Sequence, residues 1–231
     1  MRIGIIGAGN IGGTLARRLT ALGHEVSIAN SRDPQTLKAL AEESRAKPVT
    51  VREAARAGEV VIVTIPEKSI PDLPSDLFDG VPENVAVVDT GNYYPRQRDG
   101  LIPDIEAGAT ESRWVSNRLR RSVVKAFNNI YARSLGERGK PKGAKDRIAL
   151  PVAGDDARAK QTVMRLVDEL GFDPVDAGGL DESWRQQPGT PVYTKNFDAE
   201  RLRRGLAEAS PERPADFRAG AGAGGASARR I

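Results

Sequence analysis

The sequence predicts an α/β fold of the Rossmann type, with a doubly wound, mostly parallel sheet and a small C-terminal extension. Three observations support this prediction. Short apolar runs recur along the chain and are continuous, which is typical of strands buried on both faces. Helical patterns lie between these runs. A glycine-rich turn joins the first run to the first helical pattern.

Six apolar runs are predicted to be strands: residues 2–6, 25–29, 59–65, 84–89, 122–127 and 147–153. After the first run, apolar side chains repeat at helical spacing until Gly23, which stands where a helix would end. Asp33 and Pro34 have the order of an N-cap and a first helical residue. Residues 155–170 predict a further helix. Residues 180–197 have no clear period and are expected to be a binding loop or a connector.

Composition excludes several classes of site. There is no cysteine and one histidine, His24, which excludes disulfides, thiolate catalysis and multi-histidine or cysteine metal sites, so no metal is expected. The net charge of +4 comes from scattered Lys and Arg with few aromatic residues, which predicts no nucleic-acid partner. No apolar run is long enough to span a membrane, and "MRIGII" is too short for a signal peptide. We therefore expect a cytoplasmic protein without membrane contact.

The glycine-rich turn consists of Gly7, Gly9 and Gly12 in a G-x-G-x-x-G pattern. Gly7 would make the tight turn, Gly9 would let a pyrophosphate approach the backbone, and Gly12 would let the helix pack on the strand. The free N–H groups and the dipole of the helix N-terminus would attract the phosphates. The turn therefore predicts a dinucleotide site, and the alternative is a strand–turn–helix unit without a ligand.

The end of the second predicted strand indicates which dinucleotide is bound. NAD enzymes usually have Asp or Glu there, as an acceptor for the ribose 2′-hydroxyl. This chain has Ala29, Asn30, Ser31 and Arg32 instead. A guanidinium beside a hydroxyl and an amide favours a 2′-phosphate. NADP(H) is therefore predicted as the cofactor, unless Arg32 is an ordinary exposed arginine.

Three stretches carry a resemblance to a known family: "GIIGAGNIGGTLARRL", "GHEVSIANSR" and "VVKAFNN". They resemble the NADPH-dependent reductases of the deazaflavin coenzyme F420, and they are also similar to the reductase domain of the STEAP metalloreductases. The resemblance runs from residue 1 to about residue 177. It implies a Rossmann domain with a small C-terminal portion that closes over the nicotinamide.

The resemblance also implies a row of cofactor contacts. The cofactor-binding residues so predicted are Gly7, Ala8, Gly9, Asn10, Ile11, Gly12, Asn30, Ser31, Arg32, Thr64, Ile65, Pro66, Gly91, Asn92, Ala126 and Asn128. Residues 8–11 would contact the pyrophosphate, and residues 64–66 would lie along the adenosine ribose. Gly91 and Asn92 would lie near the nicotinamide, and Ala126 would present backbone groups to its carboxamide.

Three parts of the chain are predicted. Residues 1–120 form the NADP-binding Rossmann domain, and residues 121–209 form an α/β portion that closes the site of the nicotinamide and the acceptor. Residues 210–231 are rich in Gly, Ala and Pro and are expected to be a flexible tail. The family often pairs two subunits through C-terminal elements, so the resemblance implies a homodimer.

Hydride transfer between NADP(H) and a planar small-molecule acceptor, such as a deazaflavin (coenzyme F420) or a flavin, is the activity that the resemblance implies. Such a reaction needs two stacked rings and no catalytic histidine. Two alternatives stay open. One is the reduction of a small carbonyl or imine, and the other is a non-catalytic NADP(H)-binding redox sensor.

The candidate catalytic residues are Lys125, Asn128 and Asn92. Lys125 could donate a proton to a carbonyl substrate, or it could orient its neighbours. Trp184, Arg185 and Tyr193 lie in the aperiodic segment and could form a surface for the acceptor ring, or Trp184 could belong to the core or to an interface. Tyr93, Tyr94 and Tyr193 are further candidate proton donors.

Overall fold

The computed structural model describes residues 1–220. Its strands are β1 (Arg2–Ile6), β2 (Glu25–Ala29), β3 (Lys47–Pro48), β4 (Val60–Val63), β5 (Ala86–Asp89), β6 (Val124–Lys125), β7 (Ala149–Val152) and β8 (Asp173–Asp176). The first six form one parallel sheet in the order β3-β2-β1-β4-β5-β6. The chain reverses its direction of strand addition between β1 and β4, and open α/β sheets bind ligands at such a switch point. The predicted fold class is confirmed.

Helices cover both faces of this sheet. They are α1 (Asn10–Ala21), α2 (Lys38–Ser44), α3 (Val51–Ala55), α4 (Pro103–Glu106), α5 (Glu111–Leu119), α6 (Ala132–Glu137), α7 (Ala157–Glu169) and α8 (Ala199–Glu208). On one face, Ile5 of β1 shares an apolar core with Leu15 of α1 and Val163 of α7. On the other face, Val61 of β4 shares a core with Trp114 of α5. Because both faces are buried, the strands read as continuous apolar runs.

A second, smaller sheet consists of β7 and β8, which pair in parallel. It joins the main sheet through an antiparallel bridge between Lys125 and Ala153, each of which donates its N–H to the other's carbonyl. Helix α8 covers this sheet with Leu202 and Leu206. Since β6 pairs with β5, the predicted parts 1–120 and 121–209 contribute to one sheet; their boundaries as domains stay predictions.

The segment without a clear period, residues 180–197, begins with a 3₁₀ turn at Leu180–Gln186. Two-residue β3 has no apolar run that could have predicted it. Of the predicted tail, residues 211–219 make several contacts with the rest of the chain, while residues 221–231 lie outside the described residues. No helix within residues 1–220 is both long enough and apolar enough to cross a membrane.

Candidate active site at the carboxyl edge of the sheet

A cleft of about 490 Å³ opens at the carboxyl ends of β1, β2 and β4. Its lining consists of Ile6, Gly7, Ala8, Gly9, Asn30, Ser31, Val51, Thr64, Ile65, Pro66, Ser69, Asp72, Leu73 and Pro74. Eight of the predicted cofactor-binding residues are among them: Gly7, Ala8, Gly9, Asn30, Ser31, Thr64, Ile65 and Pro66. The tertiary structure thus brings three separate loops of the prediction to one cleft.

The three motif glycines meet three different surroundings. Gly7 has a φ of +118°, and a Cβ there would lie 2.2 Å from the carbonyl oxygen of Thr64. A Cβ at Gly12 would lie 2.0 Å from the carbonyl oxygen of Gly7, so the helix packs tightly on the turn. Gly9 has no atom within 4 Å of the same position. Gly9 also precedes α1 without a side-chain cap, which leaves N–H groups for an anion. These features fit a pyrophosphate.

The loop after β2 is arranged by Asn30. Its Oδ1 accepts a hydrogen bond from the backbone N–H of Arg32 at 2.9 Å, and its Nδ2 donates to Thr36 Oγ1 at 2.9 Å. Asp33 accepts from the N–H of Gln35 at 2.8 Å and so caps the following turn. The exposed guanidinium of Arg32 makes no hydrogen bond or ion pair with another residue of the described range. The donor set beside the cleft therefore fits a 2′-phosphate.

Four carboxyl groups and one lysine lie buried together where β5 and β6 end; we call Glu67, Asp89, Asp99, Glu111 and Lys125 the buried charge cluster. Lys125 Nζ lies 3.0 Å from Asp89 Oδ2 and 3.9 Å from Glu111 Oε2. Asp89 Oδ2 also accepts from Ser112 Oγ at 2.6 Å. The cluster is a closed arrangement beneath the loop that follows β5.

The predicted candidate Lys125 is buried and hydrogen-bonded to the protein. It is 1% exposed, and its ammonium donates to the carbonyl oxygen of Gly91 at 2.7 Å. Burial by itself lowers the pKa of Lys125, but Asp89, Glu111 and Glu67 outweigh it and raise the pKa above its ordinary value. A buried and fully engaged ammonium is poorly suited to donate a proton to a substrate, and it fixes the Gly91 backbone instead.

Three side-chain amides form a second network beside this loop. Asn92 Nδ2 donates to the carbonyl oxygen of Asn128 at 2.9 Å, and Asn128 Nδ2 donates to Asn92 Oδ1 at 3.0 Å. Gln186 Nε2 donates to Asn128 Oδ1 at 2.9 Å. Phe127, the residue before Asn128, has a φ of +61°, which is uncommon for a bulky residue. The structure therefore brings the predicted residues 92 and 128 into direct contact.

Ala126 completes the predicted carboxamide contacts. It is fully buried, and its N–H donates to the carbonyl oxygen of Asp89 at 3.1 Å. Its N–H is thus already used within the sheet, so of its two backbone groups the carbonyl is the one left for a ligand.

An aromatic cluster of Tyr94, Tyr193 and Phe217 lies next to the amides. The hydroxyls of Tyr94 and Tyr193 contact each other, and the rings of Tyr94 and Phe217 are 6.3 Å apart. Arg98 lies over the Tyr94 ring at 5.2 Å and also donates to the carbonyl oxygen of Asn92. Burial raises the pKa of Tyr193, and the contact with Tyr94 adds to the shift. Trp184 instead lines a separate cavity of about 280 Å³.

Several residues of the site have no signal in the sequence. Glu67 and Glu111 look like surface glutamates, Gln186 lies in an aperiodic segment, and Phe217 lies in the predicted tail. Only their tertiary neighbours reveal them. Within residues 1–220, no group of three or more His, Asp or Glu side chains has an arrangement that could hold a metal ion.

Comparisons with known proteins agree with this geometry. The family model described as NADP oxidoreductase, coenzyme F420-dependent, matches residues 2–93. A crystal structure of a hypothetical protein from Sinorhizobium meliloti is 32% identical, with a TM-score of 0.71, over 85% of this chain and 95% of that chain. A crystal structure from Arthrobacter sp. FB24, provisionally described as an F420-dependent NADP reductase, is 26% identical, with a TM-score of 0.62, over 78% of this chain and 85% of that chain.

Rat metalloreductase STEAP3 is 28% identical over 180 residues, which are 78% of this chain and 34% of that protein. The chain spans less than half the length of the curated relatives it matches. The family model, the similar solved structures and the arrangement of the glycine turn with the loop after β2 all agree. Residues 2–93 therefore belong to the family described as NADP oxidoreductase, coenzyme F420-dependent, and most of the chain is similar in structure to a crystal structure provisionally described as a reductase of that kind.

Proposed function

We propose that the protein transfers a hydride between NADP(H) and a planar acceptor, such as the deazaflavin coenzyme F420 or a flavin. One observation carries this proposal: Lys125, Asp89 and Glu111 of the buried charge cluster are buried and paired within the protein. Hydride transfer between two rings depends on positioning and water exclusion, whereas reduction of a carbonyl usually needs a proton donor at the substrate. The buried charge cluster is suited to the first task.

Each part of the cofactor has residues that would hold it. Gly9 and the N–H groups of α1 would bind the pyrophosphate, and Ser31 and Arg32 would bind the 2′-phosphate. The carbonyl of Ala126 and the amides of Asn92 and Asn128 would orient the carboxamide. When bound, the nicotinamide supplies or accepts the hydride.

The chain's own residues keep that ring position rigid. Asp89 Oδ1 accepts from the N–H of Gly91 at 2.8 Å, while Lys125 donates to the carbonyl oxygen of the same residue. Both backbone groups of Gly91 are therefore fixed from below. Such preorganisation holds the reacting atoms in place without cost at the moment of reaction.

The aromatic cluster supports a planar acceptor rather than a small one. Tyr94 lies two residues beyond Asn92, and Arg98 links the two through contacts with both. Aromatic rings favour offset stacking or edge contact with a second ring system. The cationic guanidinium of Arg98 would also favour an electron-rich, reduced acceptor ring.

A second candidate, reduction of a small carbonyl or imine, is favoured by the contact of the Tyr94 and Tyr193 hydroxyls. Tyr193 would then be the proton donor. This candidate and the first make opposite predictions for Tyr193→Phe, because the substitution keeps the ring and removes the proton.

The test follows NADPH absorbance with a panel of acceptors: F420, FMN, a ferric chelate, a quinone, and small carbonyl and imine compounds. We expect turnover with a planar acceptor, and Tyr193→Phe should retain activity within about threefold of the parent. A loss on the order of a hundredfold or more in Tyr193→Phe, with turnover confined to carbonyls or imines, would support the second candidate. Binding of NADPH without turnover of any acceptor would favour a redox sensor and would overturn both.

A further inference from the structure

Glu67 is the member of the buried charge cluster that has no hydrogen-bond partner among residues 1–220. It is 0% exposed, and neither carboxyl oxygen has a hydrogen-bond partner within the described residues. It follows the loop of residues 64–66 and packs directly on the next loop, because a Cβ at Gly91 would lie 2.4 Å from Glu67 Oε1. A carboxyl group that is buried in this way is either protonated or carries a negative charge that no cation balances.

The ion pairs of the cluster indicate which carboxyl group is protonated. The charged groups that face Glu67 are Asp89 of β5, Lys125 of β6, Glu111 of α5 and Asp99 of the turn at residues 95–99. Lys125 lies 3.0 Å from Asp89. Two arginines outside the cluster form ion pairs with Glu111 and Asp99. Arg213 Nη1 lies 2.8 Å from Glu111 Oε1, and Arg98 Nε lies 3.0 Å from Asp99 Oδ1. Within residues 1–220, Glu67 is the one carboxyl of the cluster without an ion pair, so we take it as the neutral acid of the set.

The surroundings of Glu67 favour the protonated state. Burial raises the pKa of Glu67 well above its ordinary range, and the charge of Asp89 raises it further, against the opposing effect of Lys125. As the pH rises through this pKa, a negative charge appears directly beneath Gly91.

We infer that Glu67 determines how strongly the site distinguishes NADP⁺ from NADPH. When the neutral, reduced ring is bound, the Glu67 carboxyl under Gly91 keeps its proton. When the cationic, oxidised ring is bound, the carboxyl releases this proton to water. The inference rests on the proposed function, in which the nicotinamide lies near Gly91 and Asn92. The oxidised ring has a positive charge that the reduced ring lacks, so only the oxidised form gains from an ionised Glu67. By linkage, NADP⁺ binding then releases a proton, and a higher pH strengthens NADP⁺ binding relative to NADPH.

The test measures the dissociation constants of NADP⁺ and NADPH by calorimetry between about pH 6 and pH 9. The 2′-phosphate is common to both ligands, so its titration cancels in their ratio. In the parent protein, the ratio of the NADPH to the NADP⁺ dissociation constant should rise on the order of tenfold over this range. In Glu67→Gln, which has the shape of the neutral acid and cannot ionise, the ratio should stay constant. Glu83→Gln, on an exposed glutamate, should behave like the parent.

A second readout needs no variant. Titrations in buffers of different ionisation enthalpy should show that NADP⁺ binding releases more protons than NADPH binding. Equal proton release and a ratio that is constant with pH would overturn the inference, even if Glu67→Gln proved too unstable to measure. Failure of both nucleotides to bind the parent protein would instead overturn the proposed function.

Discussion

Arg32 is the residue on which we expect the choice of nucleotide to depend. Its guanidinium is exposed, and its backbone is fixed by Asn30, so the side chain is positioned without being used by another described residue. Ser31 beside it lines the cleft. A charged hydrogen bond to phosphate contributes more than a neutral one, whereas NADH offers only a hydroxyl at this place.

We therefore expect Arg32→Ala to raise the dissociation constant of NADPH by roughly 10- to 100-fold and to leave that of NADH within about twofold. Fluorescence titration of both nucleotides checks this. Arg32→Lys, which keeps the charge but loses the fork of donors, should fall between the parent and Arg32→Ala. An equal loss of affinity for both nucleotides would show that Arg32 does not contact the 2′-phosphate.

At the scale of elements, the turn between β1 and α1 separates a folding role from a binding role. Gly12 is enclosed, since its Cβ would meet the carbonyl oxygen of Gly7 at 2.0 Å, while Gly9 faces open space. The two glycines therefore differ in what an added methyl group would disturb, in line with the different roles that the motif predicts for them.

Gly12→Ala should lower the melting temperature by several degrees, because backbone must shift to admit the methyl group. Gly9→Ala should melt within about 1 °C of the parent and yet bind NADPH roughly tenfold or more weakly, because the methyl group occupies the approach of the pyrophosphate. Thermal melts with and without NADPH measure both effects. A destabilised Gly9→Ala with unchanged affinity would refute this division of roles.

At the scale of the whole molecule, residues 211–219, which we call the C-terminal strap, run back over the site. Arg213 Nη1 contacts Glu111 at 2.8 Å, and its Nη2 donates to Gln187 at 3.0 Å. The N–H of Ala219 donates to Glu106 at 2.8 Å, and Phe217 packs beside Tyr94. The strap thus supplies one cation to the buried charge cluster and one ring to the aromatic cluster.

Removing that cation should weaken the fold. Within residues 1–220, Arg213→Ala would leave Glu111 buried with one ion pair, to Lys125 at 3.9 Å. Breaking a buried pair costs about 3 kcal/mol. Urea denaturation should show this loss, and hydrogen exchange should show faster exchange in the strap. Arg204→Ala, which removes an exposed pair on α8, should change stability by less than about 0.5 kcal/mol. Equal effects of the two substitutions would exclude the anchoring role of Arg213.

The homodimer stays a prediction, and sedimentation analysis of the full chain tests it.

The sequence by itself determined the fold class, and it predicted the dinucleotide turn and the contact with a 2′-phosphate. These properties depend on local chemistry: continuous apolar runs, three glycines at fixed spacing, and an arginine where an acid is usual. Only the tertiary structure showed that Lys125 is buried and paired with Asp89, that Glu67 has no hydrogen-bond partner within residues 1–220, and that the strap reaches the site. Those properties depend on burial and on neighbours that come from distant parts of the chain, such as Glu67 beneath Gly91 and Arg213 beside Glu111. A sequence does not show whether water or protein surrounds a charged side chain. These surroundings determine the protonation state of the side chain and its role.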